Sequence, residues 1–332
     1  MITLISGLLI TISSNSWLSA WMGLEINLLS FIPIMSNSSN LFTTEASLKY
    51  FLIQAIASSS LLFIILSKSL LETMFSMMNS SLTSLMVATP LLMKVGAAPV
   101  HWWFPSVMEG LNWGNCFILM TIQKIAPLIL ISHIIYFNSF LTFIVIMSVL
   151  IGTIGGYNQV SIRKILTYSS INHLGWMLVA MVVNETLWLI YFIIYSILTF
   201  TIIIIIKPHQ ISFINQTFLI SNEISMIKFL LFSTLLSLGG LPPFLGFFSK
   251  WIVIQSMMQN SAIVLISIMV VLSLITLYYY LRISYSAFII LNVELNWFQL
   301  NEIKINSSIY VFILASLSML GLVISPLFLI LY

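Results

Sequence analysis

Long apolar segments follow one another along the whole chain, and this feature limits the fold more than any other. A membrane-spanning helix needs ~20 mostly apolar residues, and about eleven segments of the sequence meet that criterion. Only 6% of the residues are charged, against about 25% in an ordinary soluble domain. We therefore expect an all-α membrane protein in which residues 1–332 form a single polytopic membrane domain without a soluble module.

The predicted spans differ in length and continuity. The first is short, and Met1 to Ile12 has neither a basic region nor a small-residue cleavage site, which favours a spanning helix over a removable signal. No transit peptide is visible, and the heavy use of Ile, Met, Ser and Asn is typical of an A+T-rich organellar genome. The ninth is interrupted by Gly239, Gly240, Pro242 and Pro243. The spans are 1–13, 16–35, 45–67, 80–99, 115–137, 140–157, 163–183, 186–206, 227–257, 261–289 and 308–331.

Lysines and arginines near the span ends predict the orientation, because positive charge is retained on the side from which the chain is inserted. Lys94, Lys124 and Lys250 lie within spans and are set aside. With the N-terminus inside, Lys68 alone falls outside, so we expect the N-terminus on the inner side. An odd number of spans then places Tyr332 on the outer side. The positive residues at inner ends are Lys49, Arg163, Lys164, Lys207, Lys228, Arg282 and Lys304.

Charge and cysteine content exclude several classes of function. The net charge is +3, from 11 Lys and Arg against eight acidic residues, all glutamate, and no basic tract indicates nucleic-acid binding. The one cysteine, Cys116, cannot form an intrachain disulfide or a cysteine-based metal or redox site. No Gly-x-Gly-x-x-Gly element follows a strand, and Gly152 to Gly156 indicates close helix packing. Direct NADH binding and a metal site are therefore not expected.

Four ionisable residues stand inside apolar runs: Glu25, Lys94, Lys124 and Lys250. Each costs about 3 kcal/mol at a helix centre. A snorkelling lysine, or an ion pair that only holds helices together, is the structural alternative. A buried lysine is also suited to proton transfer, because desolvation favours its neutral form and a nearby glutamate favours its charged form. Making or breaking one ion pair can therefore switch such a lysine between holding and releasing a proton.

Each of these lysines lies near a residue that interrupts helices. A Pro or Gly that interrupts a helix leaves backbone N–H and C=O groups without helical partners, and water can bind to these groups. We therefore expect water near each lysine. This placement favours a proton route over a static ion pair. The lysines and their breaks are Lys94 with Pro90 and Gly96 to Pro99, Lys124 with Pro127, and Lys250 with Pro243.

Two of the breaks share the pattern Gly-x-x-Pro-x-x-x-aromatic-Phe, at Gly96 to Phe104 and at Gly240 to Phe248. Four matched positions are a weak repeat. Paired interruptions in two halves of a chain are nevertheless typical of transporters with repeated architecture.

Three histidines and one charge pair are further candidates. His173 lies near the middle of a span and titrates close to neutrality, so it is either a proton relay or a hydrogen-bonded structural residue. His101, beside two tryptophans, favours an interfacial aromatic belt over a relay. His133 has no supporting pattern and is interpreted as structural. Glu45 and Lys49 are four residues apart, which predicts a local ion pair.

Ordered motifs over nearly the whole chain resemble the family of mitochondrial NADH dehydrogenase subunits 2, in its animal, insect version. The animal members are shorter at the N-terminus than their bacterial relatives. This chain begins later still, so Met1 is either not the full beginning or starts a helix that neighbours cover. The motifs are Trp21-Met-Gly-Leu-Glu-Ile-Asn27, Glu45-Ala-Ser-Leu-Lys-Tyr-Phe51, Lys94-Val-Gly-Ala-Ala-Pro99, Gln123-Lys-Ile-Ala-Pro127, Asn158-Gln159, Arg163-Lys164, Leu236-Ser-Leu-Gly-Gly-Leu-Pro-Pro243 and Lys250-Trp251.

The resemblance implies an antiporter-like membrane subunit of respiratory complex I in the mitochondrial inner membrane, with inverted-repeat discontinuous helices. Carried over by position, Glu25 pairs with Lys94, Lys124 is the central relay, and Lys250 is the exit-side lysine. It also implies that NADH, FMN, iron–sulfur clusters and ubiquinone act in other subunits, and that partners are other membrane subunits of the complex. A stand-alone cation/proton antiporter and a non-pumping structural subunit remain alternatives.

Overall fold

A computed structural model describes residues 1–37, 40–74, 80–219, 225–260 and 262–285, together with residues 316, 318 and 319. Within these residues the chain forms helices, with no strand beyond an isolated bridge between Ser161 and Phe213. The all-α prediction is therefore confirmed. The helices are α1 (Ile2–Ile12), α2 (Trp17–Met35), α3 (Leu41–Met74), α4 (Ser80–Val95), α5 (Trp103–Gly110), α6 (Trp113–Met120), α7 (Ile122–Ser132), α8 (Ser139–Tyr157), α9 (Ile162–Val183), α10 (Glu185–His209), α11 (Ile214–Leu219), α12 (Ser225–Gly239), α13 (Leu245–Gln259) and α14 (Ile263–Tyr285).

Seven helical segments of the described chain are long and apolar enough to cross a membrane. They correspond to the predicted second, third, fifth, sixth, seventh, eighth and tenth spans. Three shorter apolar helices, Ile2–Ile12, Thr83–Val95 and Phe229–Gly239, lie at the first, fourth and ninth. The 11 residues of α1 give about 16 Å of helix, well short of a bilayer core of about 30 Å. The eleventh predicted span, 308–331, lies outside the described residues, so the count of about eleven is not confirmed.

The chain divides into two compact units, Met1–Ser148 and Val149–Tyr332. In the first unit α2 packs against α1 and α3, and α4 packs against α3 and α7. In the second unit α10 packs against α9, α12 and α13, and α14 packs against α12 and α13. The division falls within α8, and the expectation of a single membrane domain stays a prediction.

Glycines let helices approach closely in both units. In the first unit a Cβ at Gly7 would lie 2.9 Å from the backbone nitrogen of Asn27, so α1 and α2 are in backbone contact. In the second unit a Cβ at Gly152 would lie 2.7 Å from the backbone nitrogen of Asn172. The interpretation of Gly152 to Gly156 as a close-packing segment is therefore confirmed, with α9 as the neighbour.

The two predicted glycine breaks adopt the same backbone structure. Helix α4 ends at Val95 and is followed by Gly96 with φ 79°, and α12 ends immediately before Gly240 with φ 88°. These positive φ values suit glycine and close a helix C-terminus in a left-handed turn. The N–H groups of Gly96 and Ala97 both donate to the carbonyl of Leu92. In the same way, the N–H groups of Gly240 and Leu241 both donate to the carbonyl of Leu236. The shared sequence pattern thus corresponds to a shared helix-ending turn.

The break near Lys124 lies elsewhere than predicted. Pro127 is inside α7, and the interruption occurs at Thr121, with φ −118° and ψ −73°, between α6 and α7. The Thr121 hydroxyl donates to the carbonyl of Phe117 at 2.7 Å, so a side chain takes up a backbone acceptor at the end of α6. Because Pro127 has no N–H to donate four residues back, the carbonyl of Gln123 also lacks its usual helical partner. Lys124 therefore lies in the first turn of α7.

Candidate proton-transfer site

All three predicted lysines are buried in the protein. The exposed fraction is 7% for Lys94, 2% for Lys124 and 5% for Lys250, whereas Glu25 is partly buried. A snorkelling lysine would extend its ammonium group to the surface, and these fractions argue against that alternative. The lysines therefore need an internal environment that can accept an ammonium group or its proton.

Lys94 and Lys124 line one cavity in the first unit. The space that the centre of a water molecule can reach is about 20 Å³, enough for about one water. Helices α2, α3, α4 and α7 all contribute polar side chains to its wall. The polar lining residues are Asn27, Tyr50, Gln54, Gln123 and the two lysines.

Three side-chain amides form the polar part of this wall. Gln123 donates through Nε2 to Oδ1 of Asn27 at 3.1 Å, and its Oε1 accepts from the Tyr50 hydroxyl at 3.4 Å. Gln54 donates through Nε2 to the backbone carbonyl of Lys94 at 3.2 Å. These bonds satisfy polar groups that would be costly to bury alone, and they connect the helices that carry the two lysines.

An aromatic ring provides a further contact for Lys124. Its Nζ lies 4.9 Å from the centroid of the Phe104 ring, within the range of a cation–π interaction. Phe104 is on α5, just after the Gly96 break, and is 1% exposed. The helix break therefore places a ring against the ammonium group of Lys124.

Glu25 and Lys94 interact at longer range than a direct ion pair. The Glu25 charge acts on the Lys94 ammonium group, but no salt bridge of 4.0 Å or less joins them among the described residues. The polar wall of the cavity lies in the same part of the unit. Glu25 and Lys94 therefore form no direct ion pair in this structure.

Lys250 in the second unit is held by the helix break itself. Its Nζ donates to the carbonyl of Gly239 at 2.8 Å, in the last turn of α12, where carbonyl groups lack helical partners. A cation there is also favoured by the helix dipole. A Cβ at Gly240 would lie only 3.1 Å from this Nζ, and Nζ is 6.0 Å from the centroid of the Trp176 ring.

His173 lies in the same unit, one turn before Trp176 on α9. It is 4% exposed, and its Nδ1 is 2.8 Å from the Tyr191 hydroxyl on α10. The Tyr195 ring lies 5.2 Å away. Because residues three apart share a helix face, His173 is on the side of α9 to which Lys250 extends. Both predicted residues of the second unit, His173 and Lys250, are therefore buried.

A family model matches most of the chain. Residues 14–276 match the family model described as NADH:quinone oxidoreductase/Mrp antiporter, transmembrane. The chain belongs to this family. Members are thus related both to quinone-linked oxidoreductases and to antiporters, which accords with lysines buried beside helix breaks.

Similar proteins in the NADH:quinone oxidoreductase/Mrp antiporter family include insect mitochondrial-type chains. NADH-ubiquinone oxidoreductase chain 2 of Anopheles gambiae is 52% identical over 324 residues, covering 97% of this chain and 95% of that protein. The same-named chain of Locusta migratoria is 45% identical, with 99% and 96% covered. In structure, a chain of the respiratory complex I from Thermus thermophilus superposes with a TM-score of 0.82 at 22% identity, covering 98% of this chain and 78% of that one. The last likeness shows that the fold is shared.

The remaining predicted residues are two histidines and one charge pair. His101 is 5% exposed, donates a hydrogen bond from Nδ1 to the carbonyl of Pro99 at 3.1 Å, and stacks on Trp102, which is 79% exposed. This favours the interfacial interpretation. His133 is exposed at the end of α7. The predicted local ion pair is confirmed, with 3.9 Å between Lys49 Nζ and Glu45 Oε2.

Several residues of the site were not predicted from the sequence. Asn27, Tyr50 and Gln123 occur within the motifs of the family resemblance, but no role was assigned to them. Gln54 follows Tyr50 by four residues on α3, so both lie on one helix face. The sequence signal that could have identified these residues is the presence of polar amide side chains inside apolar spans, on the same helix face as other polar residues. Tyr191 had no comparable signal in the sequence.

Proposed function

We propose that this chain is a proton-translocating membrane subunit of mitochondrial NADH:ubiquinone oxidoreductase, respiratory complex I. The names of its relatives and the shared fold support this assignment. Oxidation of NADH and reduction of ubiquinone take place in other subunits, which carry FMN and iron–sulfur clusters. This chain contributes proton movement, and its partners are other membrane subunits and the lipid of the inner membrane.

One observation carries the proposal: three lysines are buried within the membrane segments and two of them share a polar cavity. Maintaining such groups costs about 3 kcal/mol each at a helix centre. A buried lysine can exchange a proton without a cofactor, because its protonation responds to burial and to neighbouring charge. Proton transfer therefore gives these costly residues a function.

The proposed route begins at Glu25 and Lys94 and continues through Lys124 to Lys250. Separation of Glu25 from Lys94 changes the electrostatic field on the Lys94 ammonium group and allows its proton to move. The amide-lined cavity gives that proton a polar path toward Lys124. Repulsion between positive charges then favours onward transfer to Lys250, with His173 as a relay in the second unit.

The orientation of the chain sets the direction of this route. The excess of lysine and arginine at one set of loop ends supports an N-terminus on the matrix side of the inner membrane. The C-terminus is then on the intermembrane-space side. Release from Lys250 would accordingly be directed toward the intermembrane space.

A stand-alone cation/proton antiporter is the second candidate, because the matching family also includes Mrp antiporters. The same lysines and breaks would serve such exchange. Sodium-dependent proton exchange by the purified chain in vesicles would favour this candidate. A non-pumping structural subunit is the third, and normal pumping after neutralisation of all three lysines would favour it.

The test uses the assembled complex in proteoliposomes with Lys94→Ala or Lys250→Ala. We expect the complex to assemble and the number of protons translocated per electron to fall, because each substitution removes a proton-carrying group. Lys49→Ala is the matched control, since it removes an exposed lysine, and its ratio should equal that of the unsubstituted complex. An unchanged ratio in assembled Lys94→Ala and Lys250→Ala complexes would contradict the proposed function.

A further inference from the structure

A second cavity lies in the second unit, at the end where α8 and α14 finish and α9 and α11 begin. The space that the centre of a water molecule can reach is about 420 Å³, against about 20 Å³ for the lysine cavity of the first unit. At its edge the backbone N–H of Ile214 donates to the carbonyl of Val160 at 3.0 Å, which joins the loop before α11 to the loop before α9. The proposed proton route does not use this cavity.

The wall of the cavity carries polar side chains that are available to a ligand. Four of its lining residues have polar side chains that form no hydrogen bond or salt bridge with another described residue: Asn158, Gln159, Asn215 and Arg282. Asn158 and Gln159 also form one of the motifs of the family resemblance, and the proposed function gives that motif no role. Three amides and one guanidinium group, all able to donate hydrogen bonds, therefore border one space.

The charged residues around the cavity are positive. Arg282 lies in its wall. At the same end of the unit, Arg163 and Lys164 lie in the first turn of α9, and Lys207 lies in the last turn of α10. The one acidic residue in the described part of this unit, Glu185, is at the opposite end of α10, which is about 37 Å long at 1.5 Å per residue. The cavity therefore favours an anionic ligand.

Two exposed tyrosines mark the depth of the cavity in the membrane. Tyr157 lines the cavity and stacks on Tyr278, with 5.8 Å between the ring centroids and 13° between the ring planes. The rings are 41% and 51% exposed, and exposed tyrosines near the ends of spanning helices are typical of the lipid headgroup level. Tyr278 precedes Arg282 by four residues on α14, so the stacked pair and the guanidinium group share one helix face.

We propose that this cavity binds the phosphate headgroup of an anionic phospholipid. The Arg282 guanidinium group binds two phosphate oxygens through parallel hydrogen bonds, and the three amides donate to the remaining oxygens. Basic cavities between helices at the inner membrane surface are suited to such headgroups. A free phosphate ion would fill only a small part of the space, whereas a headgroup with its glycerol also contacts the apolar wall at Val160 and Ile214. The inference is independent of the proton route.

The test is photo-crosslinking of a phosphatidylglycerol to the assembled complex after its own lipids have been washed out. The photoreactive group is on one acyl chain, close to the glycerol, so that the headgroup is unchanged. We expect labelling of the residues that line the cavity. In Arg282→Gln the lipid concentration for half-maximal labelling should rise about tenfold, because a charge-assisted hydrogen-bonded contact is lost. Lys207→Gln is the matched control, since it removes an exposed positive charge at the same end of the unit without changing the cavity wall.

Competition experiments identify the source of the phosphate. Unlabelled phosphatidylglycerol should displace the probe, whereas inorganic phosphate and phosphatidylcholine at the same concentration should not. Displacement by inorganic phosphate would show a site for a free anion and would overturn the proposal. Equal losses in Arg282→Gln and Lys207→Gln would also overturn it, because the lipid would then respond only to surface charge.

A second variant keeps the test decisive if Arg282→Gln does not assemble. Asn215 is exposed on the short helix α11 and lines the cavity, so Asn215→Ala removes one donor without disturbing a buried contact. The concentration for half-maximal labelling should rise about threefold, as expected for one hydrogen bond. An unchanged concentration in Asn215→Ala, or no labelling of the cavity residues in the unsubstituted complex, would overturn the proposal.

Discussion

The two units hold their buried lysines in different ways. In the first unit, Lys94 and Lys124 line a cavity walled by amide side chains, and the Glu25 charge acts from beyond salt-bridge distance. In the second unit, Lys250 donates directly to the carbonyl of Gly239 at the helix break. One site thus has side chains that can rearrange, whereas the other has a fixed backbone acceptor. If these lysines carry protons as proposed, we expect exchange in the first unit to depend on side-chain polarity, and retention at Lys250 to depend on the geometry of the break.

Ranked by the fall in the proton-to-electron ratio, the largest expected effect is at the glycine that shapes the Lys250 site. Gly240→Ala puts a Cβ 3.1 Å from the lysine Nζ and also strains a φ of 88°. Gly96→Ala strains a similar φ of 79°, but its nearest neighbour is at an ordinary 3.4 Å. Both should lose about 1–2 kcal/mol of stability, and Gly240→Ala should lower the proton-to-electron ratio more. Thermal unfolding and the ratio in the assembled complex measure the two effects.

Gly114→Ala is the matched control for both glycine variants. No atom lies within 4 Å of a Cβ built at Gly114, and its φ is not in the positive range. We expect stability to be equal or slightly higher, because alanine has the greater helix propensity, and the ratio to be normal. Equal pumping losses in Gly96→Ala and Gly240→Ala would argue against a special role for the contact between Gly240 and Lys250.

An intermediate effect is expected at the amide wall of the first unit. Gln123→Leu removes the hydrogen bonds to Asn27 and Tyr50 and leaves their buried groups unpaired, which costs about 1–3 kcal/mol. The proton-to-electron ratio should fall, because the cavity loses its central polar side chain. Tyr50→Phe removes only the 3.4 Å bond and should lower stability and ratio by less. If Tyr50→Phe has the stronger effect, the polar path does not run along Gln123.

The smallest effect is expected at the ion pair of α3. Glu45 and Lys49 are exposed by 68% and 50%, with 3.9 Å between the charged atoms. Exposed pairs of this kind contribute little because water and salt screen them. Glu45→Gln should therefore change neither the thermal unfolding temperature nor the proton-to-electron ratio. A lowered ratio would show that the proton path extends beyond the buried residues.

Residue type and local pattern were sufficient to predict that charged lysines lie inside apolar segments and that two helices end at glycines. A charged residue within an apolar run is visible in the sequence, and a glycine followed by proline predicts the end of a helix. Gly96 and Gly240 are therefore recognisable as break positions from the residue pattern alone. The apolar runs also predicted the helical fold, whereas the number of spanning helices stays a prediction because the eleventh span lies outside the described residues.

The neighbours of the lysines could not be predicted, because tertiary packing decides which faces of different helices meet. Gln54 reaches the carbonyl of Lys94 from α3, 40 residues away in sequence. Tyr191 contacts His173 through the packing of α10 on α9. The break at Thr121 was also missed, because Pro127 gave the stronger local signal and threonine is not a residue that by itself predicts a helix end.

The most direct test of the central claim is the proton-to-electron ratio of an assembled complex that carries Lys94→Gln, Lys124→Gln and Lys250→Gln together. Glutamine keeps a polar side chain of similar length and cannot carry a proton as an amine does. The account predicts an assembled complex whose ratio is lower than that of the unsubstituted complex. An assembled triple variant with an unchanged ratio would contradict the claim that these lysines carry the proton.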